Sequence, residues 1–368
     1  MKKPVWRLVG VVCVLGLFVI TTNVRAMEES VGEVLSNIHF AGLIEVGGAW
    51  QDFEYAGGGS DDASDLCLTT LELEAEAEVN EWVSAAALML YEDPTSFEGE
   101  NDESGLDIEE ATVTIGNTEK YPAYVTAGKM VVPFGALLTH FPDDPLMDVP
   151  VTLVMGETIE KAVLVGVECP LGFSLAGYVF NGDVDEAEEE NQIESYGLDV
   201  HYSNEDLNGV ALLIGASYIS NLADSDGIEE HLEEAFEHHG VEGIDEYVAG
   251  FDAYLQAGCG DFFVDAEYMT ALDDFEHHEL AANGEGAEPA VWNLEVGYNL
   301  DWGKHLEMVA KYAGSDEAEA LDIPEDRYGL CLNQEIWEGV VASIAYLHDE
   351  YENDDERDVV YGQIAVEF

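Results

Sequence analysis

The chain predicts an all-β fold, a transmembrane antiparallel β-barrel of about sixteen strands with short periplasmic turns and long acidic extracellular loops. Three observations carry that expectation. Segments of about ten residues alternate strictly between apolar and polar side chains. The connections between them alternate in length. An export segment opens the chain, and after it every apolar run is broken within about ten residues, short of the roughly 20 that a spanning helix needs.

The export segment is residues 1–26. Lys2, Lys3 and Arg7 form a positive start, Leu8 to Ile20 an apolar stretch, and Val24-Arg25-Ala26 a cleavage site with a small residue at its end. Fold reasoning therefore begins at Met27. Residues 27–37 read as a short N-terminal periplasmic segment, and 38–368 as the barrel.

The clearest strand is Leu71-Glu72-Leu73-Glu74-Ala75-Glu76-Ala77-Glu78-Val79. A strand sends successive side chains to opposite faces, so all four glutamates share one face and the apolar residues the other. Four unpaired carboxylates cannot lie against a dry core and must face water. Glu72, Glu74, Glu76 and Glu78 are thus expected to line the lumen. The same alternation places Asp265, Glu267 and Glu295 there, beside the apolar rows Phe262-Val264-Ala266-Tyr268 and Trp292-Leu294-Val296-Tyr298-Leu300. Comparable rows are Tyr196-Leu198-Val200-Tyr202 and Leu306-Met308-Ala310-Tyr312.

In order, the strands are expected at 38–53, 66–79, 82–91, 106–116, 122–132, 160–168, 172–181, 194–202, 209–220, 246–257, 262–271, 290–300, 305–313, 327–335, 338–347 and 358–368. The links after even-numbered strands are short. Those after odd-numbered strands (54–65, 92–105, 133–159, 182–193, 221–245, 272–289, 314–326 and 348–357) are long and mostly acidic. Membrane barrels have this short-turn, long-loop alternation, whereas a Greek-key sandwich has no reason for it. Trp82, Trp302 and Trp337 fall at the short-turn end, with Trp50, Tyr91, Tyr218, Tyr268 and Tyr346 nearer the loops, as interfacial girdles would require. The strand ending in Phe368 resembles the C-terminal signal of bacterial outer-membrane proteins. Helical spacing predicts a turn or two of amphipathic helix over 228–239.

Charge narrows the partners. The chain has 79 acidic and 11 basic residues, and removal of residues 1–26 leaves seven basics against the same 79 acids. Nucleic acid is excluded as a natural partner, since binding its phosphates needs lysine and arginine. Outer-membrane lipid and small solutes or chelated metal are the partners that fit, and a homotrimer is among the assemblies the fold allows. No motif implies a cofactor, and no nucleophile constellation supports an enzyme. Cys67, Cys169, Cys259 and Cys331 are too scattered for a metal spacing and read as free thiols.

The longest loop, 133–159, is the candidate constriction, with Phe134, His140, Asp143, Asp144, Asp148 and Glu157. Lys129 and Lys161 flank it. By strand parity Lys129 and Lys311 are expected to face the lumen, with Arg327 at its rim. His238-His239 and His277-His278 lie among carboxylates in the fifth and sixth loops. As imidazole–carboxylate sets they are candidate metal ligands, although solvated histidines in acidic loops explain them more simply.

Several stretches resemble the LbtU-type siderophore porin family. They include Leu73-Glu74-Ala75-Glu76-Ala77-Glu78-Val79-Asn80-Glu81-Trp82, Gly116-Asn117-Thr118-Glu119-Lys120-Tyr121-Pro122, Gly128-Lys129-Met130-Val131-Val132-Pro133-Phe134-Gly135 and Tyr178-Val179-Phe180-Asn181-Gly182. The resemblance spans roughly 40–185 and implies an outer-membrane porin for passive uptake of small solutes, with iron–siderophore complexes as a solute class. The alternative is a structural or adhesive outer-membrane barrel whose acidic loops bind divalent cations.

Overall fold

A computed structural model describes residues 37–92, 105–137, 148–186, 193–239, 243–300 and 305–368. The expected export segment 1–26 and most of 27–37 lie outside the described residues, as do His140, Asp143, Asp144 and Trp302.

Sixteen strands close into one barrel in chain order: β1 (Ile38–Glu54), β2 (Ser60–Asn80), β3 (Val83–Glu92), β4 (Gly105–Asn117), β5 (Tyr121–Val131), β6 (Ile159–Glu168), β7 (Phe173–Asn181), β8 (Ser195–Asn204), β9 (Val210–Ile219), β10 (Gly250–Cys259), β11 (Phe262–Ala271), β12 (Ala290–Leu300), β13 (Leu306–Asp316), β14 (Asp326–Trp337), β15 (Val340–Glu350) and β16 (Glu356–Glu367). Every neighbouring pair is antiparallel, and β1 closes on β16 from Leu43↔Glu367 to Glu54↔Glu356. At the seam, Gly42 and Phe368 exchange both backbone hydrogen bonds, at 2.8 and 3.0 Å. A Cβ on Gly42 would lie 2.7 Å from the Phe368 ring, so a larger residue there would push the terminal aromatic aside.

The outer face is the apolar one. Val46, Val165, Leu198, Leu330, Ile344 and Ile364 are each about half exposed or more, and all sit opposite one another's rows on the side away from the lumen. A closed barrel leaves no unpaired strand edge in hydrocarbon, and this band gives lipid its contact surface. The chain is a bacterial outer-membrane barrel. No helix among the described residues is long and apolar enough to cross a membrane. Paired rings mark the two interfaces: Tyr196–Tyr218 and Tyr312–Tyr328 toward the loops, Phe173–Tyr202 and Phe262–Tyr298 toward the turns.

Two links expected to be long loops are tall hairpins instead. β2 begins at Ser60, and the register Glu54↔Ser60, Asp52↔Asp62 and Ala49↔Asp65 leaves only residues 55–59 as the first connection. Likewise β15 and β16 pair up to Glu350↔Glu356. Acidic side chains above the bilayer stay solvated, so the backbone ladder continues without burying them. Within β2, a bulge between the Gly47↔Cys67 and Glu45↔Thr70 pairs switches the parity, and both Cys67 and Thr70 point inward.

The hydrophobic core sits inside the barrel mouth. Helix α1 (Val151–Gly156) in the third loop and α2 (Asp226–His239) in the fifth pack Val151, Met155, Ile228 and Leu232 against inward residues such as Tyr178, Phe180, Ile219 and Met269. The expected amphipathic helix over 228–239 is thus a full α2, and its apolar stripe lies on the third loop. A two-residue hairpin in the sixth loop, Ala281–Ala282 against Glu285–Gly286, turns through Asn283 and Gly284 with φ of 51° and 85°.

Candidate functional site

The third loop leaves β5 through Val132 and Phe134, both fully buried, and folds onto the inner wall. Gly135 has φ 94°, and its N–H donates to Ser217 Oγ of β9 at 2.9 Å. A Cβ there would lie 2.8 Å from Glu267 Oε1, so the loop can approach β11 only as glycine. Glu267 then holds the loop at two points. The Ala136 N–H donates to Oε1 at 2.5 Å and Thr152 Oγ1 donates to Oε2 at 2.5 Å.

Asp148 is the third anchor. Its Oδ2 lies 2.9 Å from Lys311 Nζ on β13 and 2.9 Å from Arg327 Nη1 on β14. Lys311 also reaches Glu295 on β12 at 3.3 Å. Arg327 binds Asp349 on β15 through Nε at 2.7 Å and Nη2 at 3.1 Å, and Arg357 on β16 adds a 2.7 Å contact to Asp349. Lys311, Arg327 and Arg357 are matched by Asp148, Glu295 and Asp349. Buried charges persist only with such pairing. Lys311 and Arg327 do face inward as the alternation required, yet both are buried in this network.

A second acidic row lies on β2, four strands from β14 around the barrel. Glu72, Glu74 and Glu76 of β2 pair in register with Leu43, Ala41 and His39 on one side, and Glu72, Glu74, Glu76 and Glu78 with Leu90, Leu88, Ala86 and Ser84 on the other. This is the face that holds buried Leu43 and Glu45, while Leu73 and Val79 are exposed on the outer face. Glu74, Glu76 and Glu78 remain exposed, so water reaches them along the lumen. Asp265 is half-buried opposite Glu295 and two strands from Lys311, which extends the polar row.

Lys129 and Lys161 correct an expectation. Lys129 is in register with Lys161, and both fall on the row of Ala127 and Val163, the outer face. The inner face of this pair of strands is Thr126, Met130, Glu160, Ala162 and Leu164. Lys161 is 64% exposed, 3.7 Å from Glu160 and 3.8 Å from Asp183. Lys129 donates to the Ile108 carbonyl at 3.0 Å. At the loop end, above the apolar band, a long ammonium side chain reaches the polar interface, so the outer face tolerates both.

The third and fifth loops are tied together. Asp226 N–H donates to the Glu157 carbonyl at 2.8 Å, and the Asp226 carboxylate accepts from the Ile159 N–H. A Cβ on Gly227 would lie 2.2 Å from the Val154 carbonyl oxygen, so α2 touches α1 there only as glycine. Burial, reinforced by neighbouring acids, pushes Glu157 up to about 8 and Glu229 up to about 8. Burial likewise raises Asp226 to about 6 against the Ile159 N–H and Lys129.

Of the four candidate histidines, His278 alone among the described side chains meets other potential ligands, Asp245 and Glu276. His277 is exposed, and His238 and His239 end α2 with side chains outside the described residues. Cys67 and Cys331 are buried free thiols, Cys169 and Cys259 exposed ones. Sequence reasoning missed Asp349, Arg357 and Thr152. Asp349 has inward parity on β15, a usable signal, but nothing local shows that Thr152 meets Glu267.

No family model matches the chain. Among curated proteins it is similar to a UPF0422 protein of Coxiella burnetii, 27% identical over 284 residues, 76% of this chain and 57% of that protein. It is also similar to UPF0422 protein lpg2959 of Legionella pneumophila, 27% identical over 296 residues, 77% of this chain and 54% of that protein. The chain thus spans a little over half the length of these relatives. Among solved structures, the outer membrane channel DcaP of Acinetobacter baumannii superposes with a TM-score of 0.60 at 10% identity, covering 90% of this chain and 97% of that one. The fold is that of the outer-membrane porins. The anion-selective porin of Comamonas acidovorans (TM-score 0.60, 11% identity, 90% and 99% covered) and OprB of Pseudomonas putida (0.59, 10%, 93% and 97%) share it. At these identities the likeness concerns fold alone.

Proposed function

We propose that the chain is a passive outer-membrane porin that prefers cationic solutes, with its third loop as the constriction. One observation carries this reading. The lumenal bases Lys311 and Arg327 are buried in ion pairs, while Glu74, Glu76 and Glu78 stay exposed on the wall of β2. A low-dielectric wall focuses their field into the lumen and concentrates counter-ions. Fold likeness to an anion-selective porin does not oppose this, because selectivity resides in side chains that a fold comparison does not carry.

The sequence resemblance to LbtU-type porins supports iron–siderophore complexes as a solute class, and the seven basics after residue 26 argue for complexes of low or positive net charge. The reading includes a homotrimer, which crosslinking in native membranes tests. The deciding measurement is single-channel conductance of the purified protein in a planar bilayer, followed by liposome swelling with uncharged, cationic and anionic solutes of matched size. Discrete open-channel steps and fastest entry of the cationic solute are expected. A barrel that inserts and never conducts would remove the porin reading.

A further inference from the structure

Two loop segments converge on a mixed nitrogen–oxygen donor set. Asp245, at the end of the fifth loop, meets Glu276 and His278 of the sixth, with their donor atoms within 4.8 Å of one another. All three are accessible, His278 partly so. We propose that these residues form an extracellular site for one borderline divalent cation of the Zn²⁺ or Fe²⁺ class. The site lies on the loops, and metal uptake there does not depend on whether the pore conducts.

The backbone under the three donors is built for the task. The side chain of Glu279, 2% exposed, accepts the Asp245 N–H at 2.6 Å and the Glu276 N–H at 2.9 Å. One buried carboxylate therefore fixes the two donor-bearing segments against each other. The turn is closed again by the Glu276 carbonyl, which accepts from Glu279 N–H at 2.8 Å and Leu280 N–H at 3.1 Å. Ile244, Phe275 and Leu280, each next to a donor or within a few residues of one, are fully buried in the core of the barrel mouth. Ile244 N–H also donates to the Asp185 carbonyl at 3.1 Å, which ties the fourth loop to the fifth. Ordered backbones reduce the entropy that a metal must overcome to gather its ligands.

Charge and ligand type choose the metal. The ion pairs among the described residues lie elsewhere, so Asp245, Glu276 and Glu279 stand without a lysine or arginine counter-ion. A cation would compensate them. Two carboxylates and one imidazole suit Zn²⁺ or Fe²⁺, whereas Ca²⁺ takes about 6–8 oxygens and Mg²⁺ keeps much of its water. Three protein donors on one side leave further positions for water or a chelator.

The test is titration of ZnCl₂ into the detergent-solubilised full chain by calorimetry. Millimolar MgCl₂ saturates the diffuse acidic surface, and Cys169 and Cys259 are alkylated beforehand. Wild type is expected to take up one Zn²⁺ at a site that Mg²⁺ does not fill. His278→Ala and Glu276→Gln should each weaken it by roughly ten-fold or more, with His277→Ala unchanged within about two-fold. Heat-dependent gel mobility checks that each variant retains the barrel. No Zn²⁺ uptake above the Mg²⁺ background would overturn the proposal, as would equal binding by His278→Ala or an equal loss in His277→Ala.

Discussion

Asp148 Oδ2 lies 2.9 Å from Lys311 Nζ, a contact that joins the third loop to β13 across 163 residues of chain. It accounts for how a loop is held inside the lumen, and why a lysine on a lumenal row offers no charge to a passing solute. The same carboxylate oxygen receives Arg327, so one acidic residue occupies both lumenal bases.

Asp148→Ala should therefore loosen the loop. Removing one member of a buried pair costs roughly 3–5 kcal/mol, because it strands the partner charge. Glu295 and Asp349 still face Lys311 and Arg327, so the lower end is expected. Single-channel recordings should show larger or noisier openings and a shift toward anions. A variant with wild-type conductance and selectivity would mean that this pair does not position the loop.

Side-chain orientation in β2 can be read by cysteine labelling. A charged thiol reagent added from the aqueous phase should modify Glu74→Cys quickly and Leu73→Cys slowly, because Leu73 faces lipid and Glu74 the lumen. The comparison belongs in a background where Cys169 and Cys259 are serine. The opposite ranking would place the glutamate row on lipid.

Selectivity should not depend on Lys129. With Lys129 and Lys161 opposed on the outer face, Lys129→Glu is expected to leave the zero-current potential in a KCl gradient unchanged. Glu74→Gln combined with Glu76→Gln should move it toward anions. The wild-type cation preference should shrink with added salt, since screening shortens the field to about 10 Å at 0.1 M. A sign change in Lys129→Glu would return that lysine to the conduction path.

The contact between the third and fifth loops should weaken as pH rises. Glu157 and Glu229 titrate near 8 when packed, against an ordinary value near 4.5. A carboxyl raised in the packed state favours packing fully below its ordinary value and loses that contribution as pH climbs through the raised one. Amide protection over α1 and α2, corrected for the intrinsic base-catalysed rate, should therefore fall between about pH 5 and 8. Glu157→Gln should flatten the change, because glutamine stays neutral throughout. Protection that is flat with pH in wild type would count against ionisation at this contact.

Much of the fold is legible in the alternation. Each of the sixteen expected strands has its counterpart, and the lumenal glutamates of β2 follow from their spacing alone. Parity misplaces Lys129 because the residue before it, Gly128, has no side chain to declare a face, while a lysine near a strand end can sit on either. The expected first and eighth loops turn into ladder because acidity marks solvation, and a solvated segment can be strand as readily as coil.

By itself the sequence determined a closed barrel, its acid surplus and, for strands with strict alternation such as β2, which face meets lipid. These are local properties, repeated every two residues, and the physics of burying charge enforces them at every position. Tertiary structure alone decided which charges remain available. Asp148 reaches Lys311 and Arg327, Glu267 reaches Ala136 and Thr152, and Asp245 reaches Glu276 and His278 only after the loops fold into and over the mouth. Those meetings depend on packing between segments far apart in the chain, about which periodicity carries no information.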